Sequence, residues 1–156
     1  MVRILVDADA CPVKQEVVKV AQRYELETVI VSNGGLRPSR DPLIRHVTVG
    51  AGADAADDWI VQEAQAGDIV VTADIPLASR ALEKSAYALG PTGKVFDDNT
   101  IGMALAMRDL KQRIRESTQS LTRNRTFSST DRSTFLQSLD RLIAKANSTK
   151  SRKAQT

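Results

Sequence analysis

Acidic residues recur in three short motifs: DADACP with Asp7 and Asp9, GADAADD with Asp54, Asp57 and Asp58, and TADIP with Asp74. Singly, each has an ordinary role open to it. Asp54 sits where a helix N-cap belongs, Asp57 and Asp58 suit a first helical turn, and Asp74 before Ile75-Pro76 suits a turn or cap. Gathered at one edge they would do more. Two carboxylates about 4 Å apart repel by roughly 4 kcal/mol at an effective dielectric of about 20. A protein that collects several must protonate some of them or bind a cation. Oxygen donors without His or Cys favour Mg2+ or Mn2+ over zinc, and Mg2+ keeps waters that leave room for a phosphate. Such a centre would bind a phosphodiester, orient a water or hydroxide and offset charge on the transferring phosphorus. Lys14, one turn into the helix after DADACP, suits either a phosphate contact or a solvated helix face.

The elements around these motifs must bring them together. Arg3–Val6 is an apolar-rich run, and Val13–Tyr24 carries Val13, Val17, Val20, Ala21 and Tyr24 on one helical stripe. Thr28–Ser32, His46–Val49 and Ile69–Thr72 read as further strands, with helices over Asp54–Ala66 and Pro76–Ala86 and a short strand at Lys94–Phe96. The turn-rich stretch Asn33–Pro42 is a loop. Short apolar strands alternating with helices predict an α/β fold: three α/β/α layers around an open, mostly parallel sheet, followed by C-terminal helices. Ligands of such sheets sit beyond the carboxyl ends of the strands, where all three acidic motifs fall. From about residue 98 the pattern turns helical, with Ile101, Leu105, Met107, Leu110 and Ile114 spaced on one helix and Phe135, Leu139, Leu142, Ile143 and Ala146 on another. A single domain over residues 1–146 is expected, with residues 147–156 a disordered tail.

Composition narrows the function further. One cysteine in 156 residues excludes an intrachain disulfide and a Cys-rich zinc frame. Cys11 reads as structural, His46 as a strand-surface residue and Trp59 as core. The start, MVRILVDADACP, has too short an apolar run for a secretory signal, and no stretch approaches the roughly 18 apolar residues of a membrane span. A cytoplasmic protein is expected. The net charge of +3 conceals a split: residues 1–107 hold 10 Lys/Arg and 15 Asp/Glu, a balance of −5, and residues 108–156 hold 12 and 4, a balance of +8. Basic residues on the last helices and in RNRTF, with Arg123 and Arg125, suggest RNA or another polyanion as partner.

DADACPVK, GADAADD, GDIVVTADIPLA, VFDDNTIGMALAMRDL and TDRSTFLQSLDRLI together resemble the YaiI/YqxD family of bacterial proteins, over nearly the whole chain from Val2 to about Ala146. That resemblance implies a distant relationship to PIN-domain nucleases, which cleave RNA with a divalent metal held by acidic residues. It implies Asp7 as the first metal-binding acid, Asp57 or Asp58 as the acid of the middle helix and Asp74 as the acid after the fourth strand, with Asp9 and Asp97 or Asp98 as lesser candidates. The segment before the last strand departs from an expected Arg-Gly-type pattern and reads GPTGK, Gly90–Lys94, which puts a basic contact there in doubt.

Three functions are compatible with these features. In a metal-dependent phosphodiesterase or ribonuclease, Asp7, Asp9, Asp57, Asp58 and Asp74 hold Mg2+ or Mn2+, while Lys14, Arg123 and Arg125 contact the substrate. DADAC and GDIVVTAD also resemble the haloacid dehalogenase phosphatases, which would make Asp7 the nucleophile and Asp9 the general acid/base. A non-catalytic RNA- or protein-binding module is the third, although aromatic residues are only 4% of the chain, too few for a base-stacking platform.

Overall fold

The computed structural model describes residues 2–8, 11–34, 40–50, 52, 54–118 and 127–154, and, within these, the side chains outside 112–118 and 149–154. Six strands and five helices follow in the order β1 (Arg3–Asp7), α1 (Lys14–Tyr24), β2 (Glu27–Ser32), β3 (Ile44–Thr48), α2 (Ala55–Glu63), β4 (Ile69–Val71), α3 (Ile75–Glu83), β5 (Tyr87–Leu89), β6 (Val95–Phe96), α4 (Asp98–Thr118) and α5 (Ser129–Ala154). One sheet has the strand order β3-β2-β1-β4-β5-β6, parallel throughout except for β6, which runs against β5. The chain walks outward from β1 to β3, then crosses back to lay β4 against the other side of β1. The junction between β1 and β4 is therefore the topological switch point, where open α/β sheets leave a crevice.

Alternation along β1 divides the core. Val2, Ile4 and Val6 face one side of the sheet, with Val17, Val20 and Ala21 of α1 and Phe135, Leu139, Leu142, Ile143 and Ala146 of α5. Leu5 faces the other side, with Ala56 and Ile60 of α2, Leu77, Ala78 and Ala81 of α3, and Ile101 and Ala104 of α4. Both faces are covered, which is why the central strands carry almost unbroken β-branched runs. Asp7, two residues beyond Leu5 and on the same strand, is directed to the α2/α3 face.

Several details depart from the sequence reading. The sequence predicts a helix over Pro76–Ala86 and no strand after it. The helix instead stops at Glu83, Ser85 turns the chain with φ 63, and Tyr87–Leu89 pairs with β4. Helix-compatible residues and only three strand positions hid it. The stripe read on α4 is split: Ile101 packs on the core, while Met107 and Leu110 are half exposed and neighbouring Met103 is 72% exposed. Helix α5 continues to Ala154, beyond Ala146 where its apolar spacing ends. Helical backbone bonds close within the segment itself, so Lys-, Arg- and Ala-bearing turns extend a helix that has already been nucleated. Cys11 is buried in the core beside α1, and burial pushes its thiol up to about 11, so it stays protonated. Among the described residues, no helix is long and apolar enough to cross a membrane.

Candidate functional site

The carboxyl ends of β1 and β4 lie side by side, with Val6 paired to Val71. Asp7 closes β1 and is only 5% exposed. Thr72 follows β4, is fully buried, and donates its hydroxyl to Asp7 Oδ2 at 2.9 Å. The same hydroxyl oxygen accepts the backbone N–H of Asp74 at 2.9 Å. One threonine thus ties the ends of both central strands to the start of α3. Asp74 caps that helix, its Oδ1 accepting from Leu77 N–H at 3.0 Å, and Pro76 sits in the first turn, where a missing N–H costs nothing.

Asp57 comes from the first turn of α2, whose Ala56 and Ile60 anchor it on the sheet. Its carboxyl is pushed up to about 6, first by burial, then by the charges of Asp74, Asp7 and Asp54, and by a hydrogen bond with Asp74. A carboxyl group feels three others only when they converge, so four acids from three separate segments share one region. A hydrogen bond between two carboxyl groups requires a proton between them. Among the described residues, no group of three or more His, Cys, Asp or Glu is arranged to hold a metal ion. The cluster stands as a set of mutually repelling acids, with Asp57 protonated over a wider pH range than an ordinary aspartate.

Of the other candidates, Asp54 is felt at Asp57 and the rest fall elsewhere. Asp58, adjacent to Asp57, is 57% exposed at its side chain and pairs with Arg80 at 3.0 Å. Asp54 precedes α2 without making the side-chain cap expected of it; its carbonyl takes the Asp58 N–H at 2.9 Å. Asp97 caps α4 by accepting from Asn99 and Thr100 N–H at 2.9 and 2.8 Å, and the Thr100 contact foremost holds its carboxyl below the usual range. Asp98 is exposed in the first turn of that helix. Lys14 opens α1 on the other face of the sheet from α2, and its charge is felt at the Cys11 thiol. Asp9, Arg123 and Arg125 lie outside the described residues.

Gly67 and Asp68, the pair that resembles a phosphatase motif, precede β4 at the opposite rim of the sheet. Asp68 is buried there against Arg3 at 2.9 Å, and Arg3 also reaches Glu63 at 3.2 Å. It is therefore structural and remote from Asp7. Thr72 is not among the residues that the acidic motifs single out; the one signal for it is its spacing in Thr-Ala-Asp, a hydroxyl two residues before the acid, which suits a side-chain-to-backbone turn.

A six-stranded, mostly parallel sheet between helical layers, with acids collected at its switch point, defines a three-layer α/β protein. Residues 5–145 match the profile described as "Uncharacterized BCR, YaiI/YqxD family", and the chain belongs to that family. It is 62% identical over 143 residues to a UPF0178 protein of Mesorhizobium japonicum, covering 92% of each chain. A UPF0178 protein of Rhizobium meliloti is 60% identical over 139 residues, which is 89% of this chain and 95% of its own. A third, from Gluconobacter oxydans, is 50% identical over 143 residues, 92% of this chain and 82% of its own. No solved structure matches the chain.

Proposed function

We propose that this protein is a Mg2+- or Mn2+-dependent phosphodiesterase acting on RNA. The observation that carries the reading is the convergence of Asp7, Asp57 and Asp74 at the switch point, felt at Asp57 as a carboxyl pushed up to about 6. The resemblance to distant relatives of PIN-domain nucleases supports the same class.

The donor set suits a hard cation: it is all oxygen, and its repulsion is what a divalent ion would relieve. Asp7, Asp57 and Asp74 would hold the ion, with Asp54 close by and Asp9 two residues from Asp7; when bound, it would lower the pKa of a coordinated water and offset charge on phosphorus. The chain's own residues prepare this. Thr72 fixes the rotation of the Asp7 carboxylate and the position of the Asp74 backbone. Asp74 is held by the α3 N-terminus through one oxygen, leaving the other for Asp57 or an ion. Asp57 must give up its proton before it can act as a ligand.

Calorimetry with Mn2+ tests the centre, and degradation of single-stranded RNA tests the reaction. The expected results are Mn2+ binding, Mn2+-dependent cleavage, and loss of both in Asp7→Asn. No Mn2+ binding above background would overturn the proposal. Turnover of p-nitrophenyl phosphate with fluoroberyllate trapped on Asp7 would replace it with a phosphatase. RNA affinity without metal binding or turnover would leave a binding module.

A further inference from the structure

Asp74 has a second neighbourhood. A cleft of about 610 Å³ opens beside it, lined by Ala73, Ile75, Lys94, Ala104, Met107, Arg108 and Lys111 as well as Asp74 itself. Met107 and Arg108 lie three and four residues after Ala104, and Lys111 four and three after them, so one stripe of α4 forms a wall. Arg108 and Lys111 are exposed. Lys94 comes from the turn before β6, where its ammonium lies 5.6 Å from the centre of the Phe96 ring. That turn is anchored: Ser138 of α5 donates to the Gly93 carbonyl at 2.6 Å. Among the described residues, three cations and one acid line the cleft, and that acid, Asp74, belongs to the carboxylate cluster.

From this geometry we infer that the cleft is the binding channel for an unpaired nucleic-acid strand, with Lys94, Arg108 and Lys111 on its phosphates. The inference rests on the proposed reading of the acidic site and supplies its substrate path. The lining distinguishes a strand from a free anion. Ile75, Ala104 and Met107 offer apolar surface between the cations, which unpaired bases and sugars would cover and a lone phosphate would not. Among the described residues no aromatic side chain lines the cleft, so binding there depends on charge more than on stacking. The strand would meet the acids at Asp74, where the two sites touch.

Binding is measured without cleavage, by fluorescence anisotropy of a short labelled single-stranded oligoribonucleotide with the full chain in EDTA. Neutralising about three phosphates gives a log–log salt slope of about −2 for a single strand, or about a twentyfold loss between 50 and 200 mM salt. The triple variant Lys94→Gln/Arg108→Gln/Lys111→Gln changes only exposed side chains. It should bind at least about tenfold more weakly, with a slope near zero. Mn2+ calorimetry on the unaltered protein reads the metal centre independently of this EDTA assay, which separates failure of the channel from failure of the metal centre. Wild-type affinity in the triple variant, or no binding by the unaltered chain, would overturn the inference. So would inorganic phosphate competing as well as the oligonucleotide at equal phosphate concentration.

Discussion

Asp57 is protonated more readily in the folded protein than an exposed aspartate, about 6 against an ordinary 3.8. The folded state then binds the proton more tightly than the unfolded state. Stability from this group is complete below about pH 4 and is lost as pH rises through about 6. Asp57→Asn should therefore stabilise the metal-free protein at pH 7.5 by about 1 kcal/mol, allowing for solvent screening, and leave it unchanged at pH 3.5. Urea unfolding at the two pH values checks this. Thr72→Val removes a buried hydroxyl that serves Asp7 and Asp74 at once, and should cost about 1–3 kcal/mol, with Thr72→Ser restoring most of it. At this scale the sequence was informative about acids and silent about their support. Asp7 and Asp74 could be read because strand ends are legible from β-branched runs. Asp57 and Asp58 could not be told apart, because a helix start read from sequence is uncertain by a residue or two, and neighbouring helical positions point in different directions.

Among the elements, the hairpin between β5 and β6 links the layers. Gly93 has φ +92, and a Cβ there would lie 2.6 Å from Thr134 Cγ2 and 2.8 Å from the Thr134 backbone. Gly93→Ala combines strain with a backbone clash, and should cost about 1–3 kcal/mol or more while weakening RNA binding through displaced Lys94. Chemical denaturation and the anisotropy assay read the two effects separately. The segment GPTGK lacks the Arg-Gly-type pattern expected before the last strand, and it brings Lys94 to the cleft. The strands β1 to β4 are visible as short apolar runs rich in β-branched residues, and helices α1 to α3 through a 3.6-residue spacing. β5 is not, since Tyr-Ala-Leu directly after the turn at Ser85 carries no β-branched residue. The split face of α4 was hidden for a different reason: spacing shows that a stripe exists, but not how much of it a neighbour covers.

For the whole molecule, the charge split acquires a spatial meaning. The acidic excess of residues 1–107 includes the cluster at the switch point, and Arg108 and Lys111 of the basic part stand next to Asp74 across the cleft. An ion bound only to the folded state should raise stability by about 2.7 kcal/mol at about a hundredfold excess over its Kd. Thermal unfolding with Mn2+ should show that increase in the unaltered protein and not in Asp7→Asn. The layered architecture was readable from the alternation of strands and helices, whereas the reversal of β6 was not, because direction in a sheet is set by pairing and leaves no mark in a two-residue strand.

β1 carries a lock at one end and a tool at the other. Arg3 fastens the strand to buried Asp68, and Asp7, four residues on, meets Thr72. Such a strand acts as a ruler about 13 Å long, fixed at both marks. Core substitutions of similar volume should pass within it, but a one-residue insertion or deletion should not. Either change would keep Arg3 in place only by turning Asp7 onto the α1 face, away from Asp57, or keep Asp7 only by pulling Arg3 off Asp68. Length, more than composition, is what β1 has no freedom to vary.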